Sequence, residues 1–69
     1  MKPQNLAVLQ ALRRNPDGLS PMQALGAVGT FRLGARIFEL RQAGYQIARD
    51  WGWTPDGRRF AVYRLVGEP

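Results

Sequence analysis

Four clusters of turn-forming residues cut this chain into five segments, and that punctuation limits the available folds more than any other feature. The clusters are Asn15-Pro16-Asp17-Gly18, Gly29, Gly44 and Thr54-Pro55-Asp56-Gly57. The residue before a proline avoids the helical region, and Asp, Asn and Gly favour tight turns. No segment between the breaks is long, so the fold must be assembled from short elements packed on one another.

The first three segments read as helices. The first runs from Pro3 or Asn5 to Arg14, with Leu6, Leu9 and Leu12 at three-residue spacing and Val8 beside them as its apolar stripe. The second opens on Ser20-Pro21-Met22-Gln23. Ser is a favoured N-cap, Pro suits the first helical position, and Gln three residues after the cap completes a capping box. Met22, Leu25 and Val28 supply its apolar side, and Gly26 and Gly29 keep it short. The third spans 30–43, with Thr30 as cap and Gly44 as its stop. Leu33, Ile37 and Leu40 share its inner face. Phe31, Arg32, Ala35, Glu39 and Gln42 lie opposite, with Arg36 at the edge of the buried stripe.

The last two segments read as a β-hairpin. Tyr45, Ile47, Arg49, Trp51 and Trp53 alternate along the first arm, and Thr54-Pro55-Asp56-Gly57 forms the turn. The second arm runs from Arg58 to Val66, with Ala61, Tyr63 and Leu65 expected to face the helices. Any strand at Gly18-Leu19 is very short, and Gly67-Glu68-Pro69 is expected to fray. The order is three helices and then a hairpin: a mainly α fold with a C-terminal β-hairpin, a three-helix winged helix-turn-helix in one domain spanning 1–69.

The chain has 69 residues with no Cys and no His, which removes disulfides and the usual zinc ligands. Stability is expected from packing, with dimerisation as a further contribution. No cofactor is expected. Absence of Cys fits a reducing compartment. No apolar run approaches the ~18 residues of a membrane span. Gln4, Asn5 and Gln10 break the apolar residues of 1–12, which does not read as a secretion signal. The expected location is the cytoplasm or nucleoid of a bacterial host, away from membranes.

Charge points to nucleic acid. The net charge is +5, from ten Lys plus Arg against five Asp plus Glu, and every cation except Lys2 is Arg. The guanidinium fork matches phosphate and the guanine edge. In a helix-turn-helix pair the second helix enters the major groove. Its outer face carries Thr30, Phe31, Arg32 and Ala35. Arg32 is the leading base reader, Thr30 suits a phosphate or base edge, and Phe31 suits a thymine methyl or packing under the turn. Two roles are open to Arg36: reaching a phosphate, or lying along the core beside an acidic residue. Arg58 and Arg59 at the hairpin tip suit phosphates or the minor groove, or form a solvated turn. Arg49 is a weaker candidate, and Arg13 and Arg14 fit the negative end of the first helix.

Trp51 and Trp53 admit three roles: packing under the hairpin, anchoring a protein interface, or stacking on single-stranded bases. A place in the core for at least one is expected. Phe38 points away from the buried stripe, towards the first helix or a dimer surface. Enzyme chemistry finds no support: no carboxylates form a spaced acid–base pair, and Leu25-Gly26-Ala27-Val28-Gly29 lacks the glycine and lysine of a phosphate-cradling loop.

The stretches Leu19–Leu25 and Phe31–Ile47 resemble a family of small phage and prophage winged helix-turn-helix proteins. Arg32-Leu33, Arg36-Ile37, Leu40-Arg41, Gly44-Tyr45 and Ile47 carry the likeness, and Phe60–Leu65 looks like that family's last strand. The resemblance covers about 60 residues, nearly a whole small domain. It implies phage or prophage origin and DNA binding. Ala35 departs from the polar or basic residue frequent there, and Trp51-Gly52-Trp53 makes an unusual wing. The resulting expectation is a double-stranded DNA-binding protein, a transcriptional regulator or recombination cofactor. As a homodimer it would read half-sites about 34–36 Å apart. The alternative is a phage-derived interaction module that binds a host protein, and a weaker one is single-strand binding.

Overall fold

A computed structural model describes all 69 residues. Helix α1 covers Pro3–Arg14, α2 Pro21–Val28 and α3 Leu33–Gln42, followed by strands β1 Gln46–Trp53 and β2 Arg59–Gly67. The strands form one antiparallel sheet. Leu19 adds an isolated bridge to Tyr63, with both backbone hydrogen bonds made, at 2.7 and 2.9 Å. The expected architecture of three helices and a hairpin is the one observed.

Local chemistry explains where the elements begin and end. The capping box at α2 is complete: the Gln23 amide donates to Ser20 Oγ at 3.2 Å, and the Ser20 amide donates to Gln23 Oε1 at 2.9 Å. Each bond satisfies an amide that the helix start leaves without a partner. Gly29 ends α2 at φ 80°, a left-handed conformation that costs glycine little. Helix α3 starts later than the capping pattern predicts. Thr30 Oγ1 accepts a hydrogen bond from the Arg32 amide at 3.1 Å, which holds residues 30–32 in a turn. The helix therefore opens after Arg32, not at Thr30.

The core gathers Val8, Leu9, Ala11 and Leu12 of α1, Leu19, Ala24 of α2, Leu33, Ile37 and Leu40 of α3, and Ile47 of β1. Val28, Tyr45, Tyr63 and Leu65 pack around it. Two expectations are corrected. Leu6 is exposed and Asn5 takes its place inside; Met22 is exposed and Ala24 is the buried residue of α2. The reason is the same in both helices. Residues three apart drift by about 60° per step around an α-helix, so the outermost member of an i, i+3, i+6 series leaves the buried arc.

Polar contacts fasten the ends. Glu39 on α3 meets Lys2 Nζ at 2.7 Å and Arg36 at 2.7 Å, and Arg36 also donates to Gln4 Oε1 at 3.0 Å. Arg13 binds Glu68, so the expected fraying tail is tied to the end of α1. Arg41 donates twice to the Ile47 carbonyl, joining α3 to β1. The molecule measures 37 × 22 × 19 Å.

Candidate nucleic-acid interface

The hairpin has two faces, fixed by its register. Ile47 pairs with Leu65, Arg49 with Tyr63, Trp51 with Ala61 and Trp53 with Arg59; Ala48, Asp50 and Gly52 pair with Arg64, Val62 and Phe60. Side chains alternate across a strand, so the first set shares one face and the second set the other. On the first face Ile47, Leu65 and Tyr63 meet the helical core. Farther out, no helix covers it. There Trp51 is 44% exposed and Trp53 65% exposed, which corrects the expectation that one of them is a core residue.

Arginines fill the place that helices do not. The Arg59 guanidinium lies over the Trp51 ring at 4.3 Å from its centre, and that of Arg49 at 5.0 Å. Cations over an indole are attracted by its ring quadrupole. The second face is neutralised, since Asp50 and Arg64 pair at 3.2 Å. Gly52 belongs to this face, and a Cβ there would run into the Phe60 ring, which lies across it. That close approach gives Trp51-Gly52-Trp53 its central glycine.

Of the ten cations, Lys2, Arg13, Arg36, Arg58 and Arg64 are ion-paired. Arg41 is committed to a backbone carbonyl. Arg14, Arg32, Arg49 and Arg59 have no ion-pair or hydrogen-bond partner for their side chains. The first hairpin face also turns towards the start of α3: the Tyr63 hydroxyl lies 4.0 Å from where a Cβ on Gly34 would stand. Arg32 is the residue immediately before that first turn.

The individual sequence candidates are placed as follows. Phe31 is 88% exposed, so the alternative of packing under the turn does not apply. Arg32 is exposed and sits at the helix boundary. Ala35 is half-buried. Thr30 is 3% exposed and its hydroxyl serves the Arg32 amide, so the expected exposed contact is corrected to a structural one. Arg36, with its side chain 18% exposed, follows the structural alternative and joins α3 to α1 through Glu39 and Gln4. Arg58 is highly exposed and lies 3.3 Å from Asp56 in the turn, while Arg59 stacks on Trp51. Arg49 gains most from the structure. Its alternation with Trp51 was visible in the sequence, but the cross-strand register that brings Arg59 to the same ring was not.

These features sit on a recognisable scaffold: helices α2 and α3 joined by a tight turn, α1 packed against both, and a hairpin wing. The family model for the winged helix-turn-helix domain matches residues 3–68. The chain belongs to that family. Neither a curated protein nor a solved structure matches it significantly. A small winged helix-turn-helix domain is typically a DNA-binding module. In this one no helix is long and apolar enough to cross a membrane.

Near the wing, an apolar cleft of about 400 Å³ opens between Ser20, Pro21 and Met22 on one side and Thr54 and Phe60 on the other. A smaller hollow of about 190 Å³ lies between Met22, Leu25 and Phe31. Helix α2 contributes no charged residue to either.

Two carboxylates respond to their cations. The Glu39 carboxyl is held below its ordinary range, first by the hydrogen bond from Lys2 and then by the charge of Arg36. The Glu68 carboxyl is lowered by its hydrogen bond from Arg13, whose own pKa is raised. Glu39 is paired with Lys2 and Arg36, and Glu68 with Arg13. Arg32, Arg49 and Arg59 are thus left as the free cations near α3 and the wing.

Proposed function

We propose that this domain binds double-stranded DNA, with the start of α3 in the major groove and the wing along the adjoining backbone. The finer reading is a transcriptional regulator or recombination cofactor of phage or prophage origin, acting in the bacterial cytoplasm at the nucleoid. That finer reading rests on the resemblance of Arg32-Leu33, Arg36-Ile37 and Gly44-Tyr45 to such proteins.

The observation that carries the proposal is the division of the arginines. Apart from Arg14, the cations outside the first hairpin face and the start of α3 are neutralised or structurally committed. Arg32, Arg49 and Arg59 are unpaired on the side formed by the first turn of α3 and the wing. Arg32 is the base reader, with its fork on guanine O6 and N7. Phe31 meets a thymine methyl, and Ala35 lets the helix approach closely. Arg49, Arg58 and Arg59 contact phosphates or the groove edge. Thr30 and Arg36 position Arg32 and α3. A homodimer would place two such helices about one DNA turn apart.

The test is binding of the wild type and Arg32→Ala to random duplex and to genomic fragments at low and moderate salt. The expected result is salt-sensitive binding that discriminates among fragments, with Arg32→Ala losing about 1–3 kcal/mol and most of the discrimination. A folded wild type that binds no duplex at low salt contradicts the proposal. That outcome would favour the second reading, a module that binds a host protein, for which the apolar cleft beside Met22 and Phe60 is the supporting observation.

A further inference from the structure

Arg49 and Arg59 arrive from different strands, yet both guanidinium carbons lie within 5.0 Å of one indole centre. Exposed arginines normally sample many rotamers, and ordering one on binding costs side-chain entropy. Stacking on Trp51 removes part of that freedom before any ligand arrives. Register makes the arrangement: Arg49 is two residues before Trp51 on β1, and Arg59 is two residues before Ala61, the cross-strand partner of Trp51. On the opposite face Asp50 and Arg64, diagonal across the strands, neutralise each other. Only one face of the wing therefore presents concentrated, pre-ordered positive charge.

We propose that Trp51 is a positioning residue that holds Arg49 and Arg59 together as a probe of the DNA minor groove. The domain then favours A·T-rich DNA flanking the site read by α3. This rests on the DNA-binding reading above. A narrow A·T minor groove focuses negative potential and attracts arginine, whereas the guanine amino group obstructs the groove floor and accompanies a wider groove. Phosphate contact alone needs positive charge anywhere along the wing. Two guanidiniums gathered on one ring suit a single narrow, strongly negative slot.

The experiment uses one duplex whose α3 site is constant and whose flank is A·T, G·C or inosine·C. Inosine lacks the minor-groove amino group of guanine but shows the same major-groove edge, so it separates the two grooves. For the wild type, A·T and inosine·C flanks should bind about fivefold more tightly than the G·C flank. In Trp51→Leu that preference should fall to near unity while the melting temperature and the α3-site discrimination persist. Trp51→Phe, which keeps a ring, should restore most of it. If the wild type binds the duplex but ignores the flank, or if inosine·C behaves like G·C, the inference is overturned and the DNA-binding reading stands. Should Trp51→Leu keep the preference, the platform role is overturned. If Trp51→Leu does not fold, Trp51→Thr, a β-branched residue suited to an exposed strand position, takes its place, with the same loss of flank preference expected and its retention overturning the platform role. No duplex binding at all overturns the DNA-binding reading itself.

Discussion

Ile47 and Trp51 lie on the same face of one strand, four residues apart, and meet opposite surroundings. Ile47 is buried with Leu65 opposite it and the helices above. Trp51 is nearly half exposed, with two arginines on its ring in place of a core. Nothing in the alternation of β1 distinguishes them. What differs is helical cover on this face: the core reaches Ile47, Tyr63 and Leu65 but leaves Trp51 and Trp53 exposed. One hairpin thus does two jobs: its inner end completes the core, and its outer end presents charge.

The contrast can be broken by mutation. Ile47→Ala should cost about 2–4 kcal/mol in a denaturant titration, because it leaves a cavity in a small core. Trp53→Ala, on the uncovered part of the same face, should change stability by no more than about 0.5 kcal/mol despite the larger side chain removed. Comparable losses at the two positions would mean that the outer wing is part of the core after all. Removing the cap with Ser20→Ala should cost about 1 kcal/mol, read from the thermal midpoint, since the Gln23 amide loses its partner.

The smallest effect is electrostatic. Glu39 and Glu68 have folded-state pKa values below their ordinary range, so their contribution is fully present above the unfolded-state value and is lost as pH falls through the folded one. The chain has no histidine. Stability should therefore be flat from pH 6 to 8, to within about a few tenths of a kcal/mol, and decline below about pH 4. Glu39→Gln should reduce that acid-side slope. A decline centred near pH 6.5 in the wild type would assign the titration to other groups.

Much of this was legible in the sequence because the signals were local. Ser20, Pro21 and Gln23 define the start of α2 through contacts three residues long, and Gly29 and Gly44 mark where helices stop. Leu33, Ile37 and Leu40 gave the inner face of α3 because i, i+4, i+7 spacing stays within one arc. The misplaced residues have physical causes of two kinds. Leu6 and Met22 belonged to three-residue series that rotate off the core. Thr30 had two uses for its hydroxyl, and burial with the Arg32 amide prevailed over capping at the helix start. The partnership of Trp51 with Arg59 depends on cross-strand register, which a one-residue slip would abolish. The pairing of Arg13 with Glu68 spans nearly the whole chain, and Asp50–Arg64 spans the hairpin. Neither has a signature in local spacing, so the division between committed and free arginines emerges only in the fold.

That division can be tested directly through the salt dependence of duplex affinity. Wild type would be compared with Arg49→Gln/Arg59→Gln and with the control Arg13→Gln/Arg64→Gln. Each DNA charge neutralised, by a guanidinium at a phosphate or in the minor groove, contributes about −0.9 to the slope of log affinity against log salt. The account predicts that losing the two wing arginines makes the slope shallower by up to about 1.8, while the control leaves it within about 0.3 of wild type. Equal slope changes in the two double variants, or a wing variant indistinguishable from wild type, would contradict it.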